Sequence, residues 1–148
     1  MDEIDKKITR LIQKNGRLSS AEIAKAVGVS VSTANERVRK LEKNGYIQEW
    51  RAVMNARKVG ANLAALILVD MDYDGEKEAT EKLAKFPEIQ EIHHISGARS
   101  YLIKIRVSDT DALQSFLSQK VKPLKAITRT ESFIILDTVK ETSEVIIT

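Results

Sequence analysis

The hydrophobic pattern of this chain changes period once, and that change limits the folds open to it. Before residue 44 apolar residues recur at helical spacing; from Leu63 they alternate in twos. Ile4, Ile8, Leu11 and Ile12 mark a first helix, with acidic residues in its first turn, where the helix dipole favours them. Asn15-Gly16 ends it. Ser19 or Ser20 caps a short second helix over residues 21–27, and Gly28 stops it. Ser30 is the N-cap candidate of a third helix reaching about Lys43, with Ala34, Val38 and Leu41 on one face. Residues 46–54 read as a strand of an antiparallel ribbon, and residues 55–62, with Gly60 and two basic residues, as a hinge.

The second half predicts strands over residues 63–73, 89–95, 101–107 and 126–139, and helices over 76–86 and from Asp109 or Thr110 to about 121. In the first strand Ala65, Ile67, Val69, Met71 and Tyr73 share one face, while Leu66 and Leu68 make the other apolar too. The order β-α-β-β-α-β is the split-βαβ, ferredoxin-like arrangement, with helices on one face of an antiparallel sheet. The apolar second face suggests sheet-to-sheet dimerisation. The expected organisation is α+β: a winged-type helix-turn-helix unit over residues 1–54, a hinge over 55–62, and a sheet domain over 63–148.

The turn between the second and third helices carries a specific chemistry. Ala24 is small enough for two helices to cross closely, Gly28 can take the left-handed conformation of a sharp turn, and Val29 anchors the turn in the core. This is a helix-turn-helix spanning residues 20–43, whose third helix would enter the DNA major groove. Ser30, Ser32, Thr33, Asn35 and Glu36 at its N-terminal end are assigned to base edges or nearby phosphates. Arg37, Arg39, Lys40 and Lys43 are assigned to phosphates. Charge supports the placement. Residues 1–60 hold 13 Lys and Arg against 7 Asp and Glu, and the remainder 11 against 14, so only the first half suits a polyanion.

Composition excludes several classes. The chain has no cysteine, which rules out disulfides, cysteine-zinc sites and a cysteine nucleophile. No apolar run approaches the roughly 20 residues of a membrane span, and the acidic start lacks the order of a signal peptide, so a cytoplasmic location is expected. No glycine-rich phosphate loop is present and no cofactor is expected. His93 and His94 point to opposite faces of a strand, a poor geometry for sharing one metal, and read as structural or exposed histidines. Trp50 reads as packing, and Asp70, Asp72 and Asp74 as a solvated strand end.

Motifs along the whole chain resemble the leucine-responsive regulator/asparagine-operon regulator (Lrp/AsnC) family. They are Asp2-Glu3-Ile4-Asp5 with Ile8, Gly16-Arg17-Leu18-Ser19, Glu22-Ile23-Ala24, Val29-Ser30 with Ser32-Thr33, and Arg37-Val38 with Leu41-Glu42, Gly45 and Ile47. Further on they are Pro87-Glu88-Ile89, Ser96-Gly97, Tyr101-Leu102 and Val139-Lys140. The resemblance implies a regulator of amino-acid-related metabolism that binds double-stranded DNA. It implies homodimers joined through the C-terminal domains, assembling to octamers or similar discs, with a free amino acid bound between dimers. It also implies an effector site lined by the loop Gly97, Ala98, Arg99, Ser100 and Tyr101 and by Thr128, Thr130 and Ser132. The residues are compatible: the three hydroxyls lie on one strand face, and Gly97 permits close backbone approach.

Two positions depart from the family pattern. Ser100 stands where an acidic residue usually precedes the tyrosine, and serine supplies no charge for an α-ammonium group. Glu36 stands where a basic residue is common. The alternative to an effector-responsive regulator is an effector-independent architectural DNA-binding protein. A third reading, an enzyme resembling tetrapyrrole decarboxylases with His93 or His94 as acid, would leave the basic helix-turn-helix idle.

Overall fold

Three capped helices, α1 (Glu3–Lys14), α2 (Ser20–Val27) and α3 (Val31–Lys43), build the N-terminal part of the protein. The computed structural model describes residues 1–148 and divides them into two units, Met1–Val53 with Lys140–Thr148, and Met54–Val139.

In the first unit each helix starts where its cap dictates. The Asp2 carboxylate accepts the Asp5 N–H at 2.8 Å and the Asp5 carboxylate accepts the Asp2 N–H at 3.1 Å, a reciprocal capping box. Ser19 and Glu22 repeat the device on α2, so Ser19 is the cap and Ser20 the first helical residue. Gly28 ends α2 at φ 76°, a conformation that a side chain would strain. The N–H groups of Gly28 and Val29 both return to the Ala24 carbonyl, at 2.9 and 3.1 Å. Ile8, Ile12, Ile23, Ala24, Ala34 and Leu41 are buried together, with Val27, Val29 and Val38 packed around them. This small core fixes α3 against α1 and α2.

The strand expected over residues 46–54 is absent; these residues adopt no regular secondary structure. A strand exists only through its hydrogen-bonded neighbour, and no segment of the chain pairs with this one. Trp50 instead lies over Gly16, where a Cβ would stand 3.2 Å from the indole ring, and its N–H donates to the Glu42 carboxylate. The final residues, expected with the sheet domain, pack with the first unit. Arg10 and Gln13 donate to the carbonyls of Ile147 and Val145 at 2.9 and 3.0 Å, and the Val145 N–H donates to Gln13 at 3.2 Å. These bonds run through the backbone of the tail: the Val145 side chain is 67% exposed. Truncation after Val139 is expected to cost the first unit about 1–2 kcal/mol for three exposed hydrogen bonds. Thermal unfolding of the truncated and full chains measures it, and an unchanged midpoint would show that the tail contributes nothing.

The second unit is a four-stranded antiparallel sheet in the order β2-β3-β1-β4, with β1 (Leu63–Met71), β2 (Ile89–His94), β3 (Tyr101–Val107) and β4 (Ile127–Ile134). Helices α4 (Glu76–Leu83) and α5 (Thr110–Phe116) cover one face, and α5 continues into a π-helical turn, Leu117–Val121. Asp109, not Thr110, caps α5 by accepting the Ala112 N–H at 2.8 Å. Ala65, Ile67, Val69, Ile103 and Ile105 face Leu83, Leu113 and Phe116 across the core. This is the ferredoxin-like arrangement read from the strand and helix order.

Two strand ends differ from expectation. Tyr73 is 95% exposed, because the β1–β4 register shifts between Asp70 and Met71 and the chain leaves the sheet there. β4 stops at Ile134 rather than near Val139, since Ala65 pairs with Ile134 and β1 begins at Leu63; beyond Ile135, which still bonds Ala64, no partner remains. The other sheet face carries Leu66, Leu68 and Leu102, half-buried, with Phe133 47% exposed. No helix of the unit lies on it.

Candidate nucleic-acid interface and ligand site

The outward face of α3 is set by its core face. With Ala34 and Leu41 buried, a pitch of 100° per residue turns Ser32, Asn35, Glu36, Arg39, Lys40 and Lys43 to solvent, and all six are exposed. Arg39, Lys40 and Lys43 form no ion pair within the chain, so their charges are available to phosphates. Ser30 has a local role: its hydroxyl accepts the Thr33 N–H at 3.1 Å as the cap of α3 and lies 3.0 and 2.8 Å from the hydroxyls of Ser32 and Thr33. Thr33 is half-buried beside that cap. Val31, 52% exposed at the first position of α3, is an apolar contributor that charge and hydrogen-bonding criteria passed over.

Arg37 is corrected. Its guanidinium is bound to the Asp2 and Asp5 carboxylates of α1 at 2.6 and 2.8 Å, with its side chain only 26% exposed. The phosphate role read from the sequence would require the guanidinium to leave both carboxylates. The Asp2 carboxyl titrates below its ordinary value, held down first by the Asp5 N–H and then by Arg37.

In the second unit the eight residues assigned to an effector divide into two groups. Gly97, Ala98, Arg99 and Ser100 form an irregular bend between β2 and β3, with Gly97 at φ 121°. Arg99 reaches the Asp70 and Glu131 carboxylates at 2.5 and 3.3 Å, and its side chain is 19% exposed. It fastens the loop to β1 and β4. Tyr101 donates to Glu76 of α4 and stacks on His94 with centroids 4.9 Å apart. The hydrogen bond to Glu76, with burial, raises the Tyr101 pKa above its ordinary value.

Thr128, Thr130 and Ser132 lie on β4, with Thr130 opposite Val69 and Ser132 opposite Ile67. Residues directly opposite point to the same face, so Thr130 and Ser132 belong to the helix side of the sheet and Glu131, opposite Leu68, to the other. Tyr101 also pairs with Val69, so a whole strand separates it from Thr130. Within one chain the Arg99 loop and the β4 hydroxyls do not converge. The β4 hydroxyls instead border an open groove of about 370 Å³ under the end of α5, where Thr128 and Thr130 join Gln114, Ser118 and Lys122. Sequence reading missed Asp70, Glu76 and Glu131; the alternating aspartates held the one available signal, and Asp70 alone of the three holds the loop arginine. No group of three or more His, Cys, Asp or Glu side chains is placed to hold a metal. His93 pairs with Glu91 at 3.1 Å.

The geometry can be set beside known proteins. The family description "winged helix-turn-helix DNA-binding" matches residues 1–48, and "Lrp/AsnC ligand binding domain" matches residues 64–145. The chain belongs to the Lrp/AsnC family. It is 35% identical, over 97% of its length and 95% of the relative, to the HTH-type transcriptional regulator FL11 of Pyrococcus furiosus. It is 33% identical, over 99% of its length and 92% of the relative, to the leucine-responsive regulatory protein of Escherichia coli. Among solved structures, Escherichia coli AsnC superposes with a TM-score of 0.90 at 28% identity, over 97% of each chain. A Neisseria meningitidis transcriptional regulator in complex with L-methionine gives 0.90 at 27% identity, over 98% of this chain and 96% of that one. As an Lrp/AsnC protein the chain is a DNA-binding transcriptional regulator with a ligand-binding domain, and the enzymatic reading falls away with its regulator relatives.

Proposed function

We propose that this regulator reads specific operator sequences through α3 and that a free amino acid or related small metabolite modulates the binding. The observation that carries the first part is the exposed stripe of α3, with Ser32, Asn35 and Glu36 ahead of three unpaired cations. Asn suits an adenine edge, Glu a cytosine amino group, and Val31 a thymine methyl. Arg39, Lys40 and Lys43 then take phosphates and set the register. Selection of bound fragments from random double-stranded DNA tests this. A shared sequence among them is expected, and recovery of unrelated fragments overturns sequence-specific reading.

The protein acts as a homodimer joined through the uncovered sheet face at Leu66, Leu68, Leu102 and Phe133, and dimers assemble to an octamer or similar form. Two observations support this: the face carries an uncovered patch of large apolar side chains beside Lys104 and Glu131, and a single chain leaves the Arg99 loop apart from the β4 hydroxyls. A neighbouring copy would bring the two groups together around a ligand. The L-methionine complex of the Neisseria regulator supports an amino acid as effector.

A second reading, an architectural DNA-binding protein without effector, is favoured by Arg99. With that arginine already paired to Asp70 and Glu131, and with Ser100 uncharged, the loop carries no carboxylate and no unpaired cation for a zwitterion. Thermal unfolding of the full chain with each of the twenty amino acids separates the two. A true effector at 100 times its dissociation constant is expected to add about 2.7 kcal/mol to stability. Stabilisation by none of the twenty overturns amino-acid sensing and leaves the architectural role.

A further inference from the structure

Arg37 stands on the helix that meets DNA, yet its partners are in its own chain. At 100° per residue it lies about 100° around α3 from Glu36 and beside the buried line of Ala34 and Leu41, on the flank that faces α1. Its guanidinium joins two carboxylates from the first turn of α1, Asp2 at 2.6 Å and Asp5 at 2.8 Å. Both acceptors are themselves fixed, because each caps the other's backbone N–H. Side chains held at both ends in this way lose little further entropy on pairing, unlike most surface ion pairs.

Charge adds a second argument. One guanidinium between two carboxylates leaves the group with a net charge of −1. Turning Arg37 toward a phosphate would break both pairs and leave two bare carboxylates near a polyanion. Resting the inference on the reading of α3 as the DNA-contacting helix, we propose that Arg37 is a positioning residue that clamps α3 to the N-terminus of α1 and neutralises Asp2 and Asp5. It touches no phosphate. Arg39, two residues on and exposed, is the contrasting case of a cation free to do so.

The two roles predict different salt dependences. Each phosphate neutralised contributes roughly 0.9 to the slope of log affinity against log salt. R39A is expected to lower that slope by roughly 0.9. R37A is expected to leave the slope unchanged while lowering affinity about 2- to 30-fold at every salt concentration, the range for residues that act without touching the ligand.

The double variant D2N/D5N is the second arm, and it serves if R37A does not fold. Asparagine caps a helix as well as aspartate does, so α1 keeps its start while the clamp loses its charge. Simple electrostatics predicts tighter DNA binding after two negative charges are removed. The clamp predicts weaker binding with an unchanged slope. A slope loss near 0.9 in R37A, or tighter binding in D2N/D5N, overturns the proposal. An R39A protein that keeps both affinity and slope overturns the reading of α3 as the DNA helix, separately from the role of Arg37.

Discussion

Replacing Arg39, Lys40 and Lys43 together by alanine is expected to lower the slope of log affinity against log salt by up to roughly 2.7, three phosphate contacts at roughly 0.9 each. The three side chains are exposed and unpaired within the chain, so their removal leaves no buried charge and no broken ion pair. Alanine also favours helix, so α3 itself is not weakened. The loss falls on all DNA sequences alike, because phosphates carry no sequence information. Fluorescence anisotropy with a selected fragment and with an unrelated one, over a salt series, measures it. An unchanged slope would remove these residues from the interface.

Ile8→Ala is expected to have the largest effect on stability. Ile8 has no exposed surface and sits among Ile12, Ile23, Ala24, Ala34 and Leu41. Truncating such a residue costs about 2–5 kcal/mol, through lost burial and the cavity left behind. A unit with only six buried apolar residues has little stability in reserve. DNA binding should therefore fail, since without this core the Arg37 ion pairs to α1 alone must hold α3 in place. The sheet unit has its own core around Ile67, Ile103, Ile105 and Leu83 and should persist. Amide signals followed by NMR during heating distinguish the units. Loss of both together, or a melting point equal to that of the parent chain, would contradict the expectation.

The helical half was legible because its signals are local. The capping boxes Asp2–Asp5 and Ser19–Glu22 and the turn at Gly28 each lie within a few residues. The strands were legible where they had neighbours. Ile67, Ile103 and their alternating companions predict the sheet, whereas residues 46–54 have strand-forming residues but no partner, and so form no strand. Register, which no single strand encodes, decided where β1 and β4 end.

Side-chain partners at long range were not legible. Arg37 looked like its neighbours Arg39 and Lys40, and only the packing of α3 on α1 brought Asp2, 35 residues away, to its guanidinium. Arg99 was read as part of a ligand loop, and the pairing of β1 with β4 that brings Asp70 and Glu131 to it was not visible. Helices, caps, the change of hydrophobic period and the basic first half follow from the sequence alone, because each depends on residues within one or two turns or on a sum of charges. Which cations remain free for DNA, and which are spent inside the protein, was decided by tertiary structure, because an ion pair forms between groups the fold brings within about 4 Å, however far apart they lie in the chain.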